Sequence, residues 1–370
     1  MSNSFIKLEN KNQRFSVFPI VHHNLWKFYQ DQAANIWFPV EISLQDDLND
    51  WNNKLNDNER HFIKNVLAFF NSSDGLVNEN LVLNFYNEVE LPEARQFYSM
   101  QMLIEAVHAE QYALLIDTYI QDTDEKNKLF NAIDTIPAVK RKADWGMKWI
   151  EEGSSIVDAI PKDLLSLLQT LDTLDLTESQ LEGKNKSLLK YFTKTRPSFA
   201  QRLLAFVCVE GIFFAGSFCA IYYLKSRGLM PGLGSANSLI ARDESMHAEF
   251  AIELYSMLEE KLDQETVHSI FKEAIDIEKE FITESLPISL LGMNSKLMSQ
   301  YIEYVGDRWL KMLGYEIIYG SENPFGFMEL ISVNEKVNFF EAKNTIYTRP
   351  GMGQNQEDRT ISFSDSDSDF

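Results

Sequence analysis

Between Leu203 and Leu224 the chain reads LLAFVCVEGIFFAGSFCAIYYL, a run of 22 residues with one ionisable side chain, Glu210. By length alone such a run can cross a bilayer. No second stretch of this kind occurs, and a carboxylate at the centre of a lone membrane helix costs several kcal/mol. A helix surrounded on all sides by other helices accommodates the same residues without that cost. The expectation is therefore no membrane, and a helix buried in a bundle. Glu210 then needs a partner: a buried carboxylate is paired, protonated or bound to a metal.

The rest of the chain reads as all-α. The 16 glycines and 10 prolines among 370 residues fall well short of ordinary usage, roughly 12% for the two together, and no strand alternation of any length appears. Amphipathic patterns place helices at about 22–36, 56–88, 91–120, 135–152, 200–226, 235–260, 264–283 and 294–315. The cluster Arg227-Gly228-Leu229-Met230-Pro231-Gly232 separates the fifth from the sixth. No Gly- or Ser-rich linker divides the chain, so one domain is expected over residues 1–335, with a tail at 336–370. The last twenty residues hold a single aliphatic side chain, Ile361, and five acidic residues to one basic; they cannot bury enough surface to order themselves.

Charge and cysteine content exclude several functions. A net charge of −21 argues against a nucleic-acid binder that neutralises phosphates. Cys208 and Cys219 are the only cysteines, too few for a disulfide framework or a cysteine zinc site. The first residues show no signal-peptide apolar core, and a reducing, cytoplasmic setting is the expectation.

Three of the six histidines follow a glutamate by three positions: Glu105-His108, Glu244-His247 and Glu265-His268. The spacing puts both side chains on one helical face, where a carboxylate and an imidazole can grip one metal ion. Glu265-His268 lies in the charged segment LDQETVHSIFKEAIDIEKEF and reads as a solvated helix face. The other two pairs have apolar flanks, and each has an acid upstream. Asp74 precedes Glu105 by 31 residues, and Glu210 precedes Glu244 by 34. Both halves thus repeat one plan, a carboxylate on one helix and Glu-x-x-His on a following one, which is the di-iron or di-manganese arrangement of helical bundles. Oxygen-rich ligation with two imidazoles suits iron or manganese better than zinc or copper. Tyr112 lies one turn after His108 on the same face. Phe214 and Phe218 fall one and two turns after Glu210, and Ile240 one turn before Glu244, so these three are expected to wrap the phenol in water-poor surroundings.

The segments SSDGLVNENL, IEAVHAEQYALLIDTYI, VEGIFFAGSF, KSRGLMPGL and LIARDESMHAEFA closely resemble the radical-generating small subunit of class I ribonucleotide reductase, especially its eukaryote-like members. The resemblance implies a ferritin-like helical fold, a homodimer, and metal ligands at Asp74, Glu105, His108, Glu210, Glu244 and His247. It implies dinuclear iron (Fe–O–Fe), with di-manganese or a mixed manganese–iron pair as the alternatives, and a stable radical on Tyr112. It further implies a hydrogen-bonded relay through His108, Asp243 and Trp37, continued by Glu341 and Tyr347 towards a large subunit that the tail ending at Phe370 would dock. The sequence departs from the family in two places. Gln111 stands where a small or apolar residue is usual, and about 153–195 is a surplus stretch expected to form extra surface helices. Two other functions fit a dimetal bundle: an oxidase acting on its own small substrate, and iron storage.

Overall fold

Helix starts are set by side chains that satisfy the first free backbone N–H groups. The computed structural model describes residues 16–81, 85–150, 197–285, 288–291 and 293–328. The surplus stretch 153–195 and the tail 336–370, with Glu341, Tyr347 and Phe370, lie outside these residues. Among the described residues there are helices and no strands.

The order is α1 (His23–Ala34), α2 (Gln45–Asn53), α3 (Asp57–Asn80), α4 (Tyr86–Glu88), α5 (Pro92–Tyr119), α6 (Thr123–Phe130), α7 (Ala132–Thr135) and α8 (Pro137–Ile150). Then follow α9 (Phe199–Cys208), a π-helical turn (Val209–Phe213), α10 (Ala215–Ser226), α11 (Pro231–Ser256), α12 (Gln264–Glu280) and α13 (Ser295–Leu313). A capping box opens α3: the Asn56 N–H donates to the Glu59 carboxylate at 2.9 Å, and the Glu59 N–H donates to Asn56 Oδ1 at 3.0 Å. The same reciprocal pair, Ser198 with Gln201, opens α9. Helix α11 begins four residues earlier than the periodicity predicts. Pro231 takes the first helical position, where its missing N–H costs nothing. The Asp47 carboxylate accepts the next two N–H groups, of Gly232 and Leu233, each at 2.7 Å.

Four long segments make the central bundle. Helix α3 packs along α5, and α9 with its π turn and α10 packs along α11; α1, α8, α12 and α13 lie against these. The apolar run is inside the fold: 89% of its most hydrophobic stretch is buried, as the reading of a core helix requires. The expected helix over 200–226 runs as one helix, Phe199–Ser226. Within it Val209–Phe213 is a π turn, where bonds from each residue reach one position further than in an α-helix. Glu210 is the second residue of that turn.

Candidate metal centre

Helix α5 carries Glu105 and His108, the π turn carries Glu210, and α11 carries Glu244 and His247. All five side chains are buried. Ligand atoms of Glu105, Glu210, Glu244 and His247 lie within 4.8 Å of one another. His108 Nδ1 is 3.0 Å from the Glu244 carboxylate and 3.6 Å from that of Glu105. His247 Nδ1 is 3.0 Å from Glu105 and 3.1 Å from Glu244. Glu105 and Glu244 therefore each turn one oxygen towards each imidazole, spanning the space between the two rings. Asp74 lies on α3, in the bundle with these helices; its side chain is outside the described set.

The charges explain why a cation fits. Burial opposes protonation of His108, but hydrogen bonds with Asp243, Glu105 and Glu244 outweigh it and raise its pKa well above that of a free imidazole. His247 is likewise raised to about 9, burial being overcome by Glu105 and Glu244. The carboxylates thus demand positive charge at the spot the Nδ1 atoms face. Divalent cations would supply it and take the two Nδ1 lone pairs as ligands. Carboxylate oxygens with imidazole nitrogens are the donors that iron and manganese accept.

Outer partners orient both rings. His108 Nε2 lies 3.2 Å from Asp243 Oδ2, and the Trp37 indole N–H donates to the same oxygen at 2.8 Å. The Trp37 and His108 rings stack at 5.9 Å between centroids. Burial raises the Asp243 pKa, but Arg242, His108 and Trp37 together hold it below the usual carboxylate range. Trp37 is fully buried, so the predicted trio is in one hydrogen-bonded line. On the other side the Gln32 amide is 2.6 Å from His247 Nε2. With Nδ1 turned to the carboxylates, Nε2–H is a donor, and a half-turn of the amide presents Oε1 as its acceptor. Replacing Gln32 with leucine is expected to weaken metal binding roughly 10–100-fold, the range for lost outer partners of metal ligands, read by titration of the metal-free protein.

Tyr112 is 2% exposed. Its ring meets Phe70 at 4.8 Å, and Phe70 in turn meets Phe214 at 5.5 Å and Phe218 at 5.4 Å. Ile240 is fully buried one turn before Glu244. Sequence reasoning puts Phe214, Phe218 and Ile240 around the phenol and misses Phe70, which supplies the direct ring contact. It also misses Gln32, 215 positions from His247, where no local pattern could point to it. Gln101, one turn before Glu105 and bonded to it at 3.3 Å, could be found from the same i, i+4 spacing that singles out Tyr112. His268 is half-buried, and its Nε2 is 2.8 Å from the Glu316 carbonyl, away from the cluster.

Comparison with known proteins gives the arrangement a family. Residues 14–324 match the family model described as ribonucleotide reductase, small chain. The ribonucleoside-diphosphate reductase small subunit of Dictyostelium discoideum is 47% identical over 352 residues, covering 94% of this chain and 91% of that protein. Its counterpart in Encephalitozoon cuniculi is 46% identical over 346 residues, covering 94% and 93%. Among solved structures, the Rnr4 homodimer of Saccharomyces cerevisiae superposes with a TM-score of 0.69 at 32% identity, covering 89% of this chain and 92% of that one. A match over most of the chain, a ferritin-like bundle, and a buried carboxylate–imidazole cluster beside a sheltered tyrosine agree with one another: the chain belongs to the ribonucleotide reductase small-chain family.

Proposed function

We propose that the cluster holds two ions of iron or manganese through Asp74, Glu105, His108, Glu210, Glu244 and His247, and that the protein keeps a radical on Tyr112 for a ribonucleoside-diphosphate reductase. One observation carries this reading: Glu105 and Glu244 each span both imidazoles, with Tyr112 one turn from His108 in an aromatic enclosure. When bound, such a metal pair supplies, with dioxygen, the oxidising equivalent. The residues of the chain do the rest. Tyr112 gives up an electron and its phenolic proton, and Phe70, Phe214, Phe218 and Ile240 keep water from the oxidised ring. The hydrogen-bonded line His108–Asp243–Trp37 offers a path by which the oxidising equivalent can pass outward, an electron moving inward towards the cluster in exchange.

The onward route would use Glu341 and Tyr347, and the tail ending at Phe370 would dock a large subunit that binds the nucleotide. The acidic, Phe-terminated composition of that tail supports this, as does pairing in the yeast relative for a homodimer here. Electron paramagnetic resonance with metal analysis on protein reconstituted with iron and oxygen tests the reading: two metals per protomer and a tyrosyl signal are expected. Full metal loading with no radical would overturn it. Deleting residues 351–370 is expected to abolish large-subunit binding and leave that signal intact. A self-sufficient oxidase or storage protein would lose nothing on the same deletion.

A further inference from the structure

A π turn shifts the hydrogen-bond register of a helix, and in and just after Val209–Phe213 side chains from three other helices bond to the backbone. The indole N–H of Trp309, on α13, donates to the Gly211 carbonyl at 2.9 Å. The ammonium of Lys142, on α8, donates to the Phe213 carbonyl at 2.8 Å. The carboxylate of Glu278, on α12, accepts the Gly216 N–H at 3.0 Å. Lys142 and Glu278 are themselves a salt bridge, 2% and 0% exposed. The cation sits at the carbonyl end of the segment before the π turn and the anion at the N–H end of α10 beyond it, so the pair matches both helix dipoles at once.

The surroundings are built for this pair. The Lys142 ammonium lies 3.9 Å from the Phe69 ring centroid and 3.7 Å from that of Phe281, where the ring faces favour a cation. A Cβ on Gly211 would come within 2.5 Å of the Trp309 indole, and one on Gly216 within 2.7 Å of the Glu278 carboxylate. Only glycine at these two positions lets Trp309 and Glu278 reach the backbone. Burial draws Lys142 down to about 8 and Glu278 up to about 7 even though each pulls the other back towards its charged form. So dry a pair persists only because the backbone groups at the π turn complete its hydrogen bonds.

The π turn also decides where Glu210 points. One residue of helical rotation is about 100°, so a return to α-helical bonding would turn the two halves of the segment against each other by that much. Glu210 now brings its carboxylate into the cluster with Glu105, Glu244 and His247, ligand atoms within 4.8 Å of one another, while Phe214 and Phe218 close on Phe70. A regular helix would keep one of these contacts and lose the other. We infer that Lys142, Glu278 and Trp309 are positioning residues for Glu210, a clamp across the π turn that keeps its carboxylate aimed at the metal centre. The inference rests on the metal reading above and adds the machinery that presents one ligand.

Manganese(II) titration of the metal-free, full-length protein tests it, with bound ion read from loss of the free-ion resonance and thermal unfolding followed in parallel. Trp309→Phe keeps an aromatic ring there and removes the N–H together with the five-membered ring that carries it. The double variant Lys142→Met/Glu278→Leu removes both charges, so neither is left buried alone. Val267→Ala, in the buried face of α12 three turns from Glu278, serves as a destabilised control. The parent is expected to bind two ions. Trp309→Phe and the double variant should each bind one of the two at least tenfold more weakly, with the other unchanged, while Val267→Ala at comparable stability binds both normally. Parent-like binding by Trp309→Phe overturns the clamp even if the double variant fails to fold, and so does equal weakening in Val267→Ala. A parent that binds no manganese overturns the metal reading itself.

Discussion

Tyr112→Phe protein is expected to bind metal as the parent does, to show no tyrosyl resonance, and to support no nucleotide reduction when mixed with a large subunit. The substitution removes one oxygen from a side chain that is 2% exposed and packed against Phe70. The volume is kept, so the enclosure stays filled and the fold is undisturbed. What vanishes is the only proton and the low-lying electron that the phenol can release. The same enclosure makes the effect large. Phe70, against which the phenol packs, has no acidic proton and no easily ionised group, so it cannot stand in for the phenol. Unchanged metal content with a surviving identical signal would place the radical elsewhere and end the assignment.

Asp243→Asn is expected to cut both metal affinity and turnover, each by roughly 10–100-fold. One carboxylate here serves three neighbours: Trp37 and His108 on Oδ2, and two N–H groups of Arg242 on Oδ1. An amide has the same shape but a single acceptor oxygen. Whichever way it turns, an N–H faces either Arg242 or the Trp37–His108 side, and a buried donor there loses its acceptor. His108 then no longer has its Nε2–H held, and its Nδ1 loses its aim at Glu105 and Glu244. Trp37→Phe separates the two roles. It keeps an aromatic ring beside His108 and removes the N–H with the five-membered ring that carries it; with Asp243 still holding His108, metal content should stay at the parent level while turnover collapses. Retention of full turnover in Trp37→Phe would make Trp37 a packing residue and nothing more.

Parts of this centre are legible without coordinates because they depend on one helix at a time. The Glu-x-x-His pairs and Tyr112 follow from rotation within α5 and α11, which short-range hydrogen bonding enforces. The burial of Glu210 follows from the composition of its own segment. The π turn is not legible. Its stability comes from Lys142, Glu278 and Trp309, which lie 71, 62 and 98 positions from the backbone atoms they hold. Gln32 escapes for the same reason, and Phe70 passes as one apolar residue among many in α3. The start of α11 is hidden because Met230, Pro231 and Gly232 read as breakers; with Asp47 and Asp50 accepting their neighbouring N–H groups, the same residues open a helix.

The π turn in the apolar segment also bears on the surroundings that the segment suits. By composition, Phe199–Ser226 passes as a membrane span. In lipid its π turn would present the Gly211 and Phe213 carbonyls and the Gly216 N–H to hydrocarbon, each unsatisfied group costing several kcal/mol. Reverting to a plain α-helix would spare that cost, but Glu210 would still be carried into the bilayer. Only the assembled protein offers an indole, an ammonium and a carboxylate to answer those groups. The segment is therefore hydrophobic enough to hide, yet its comfortable surroundings are the other helices of its own chain.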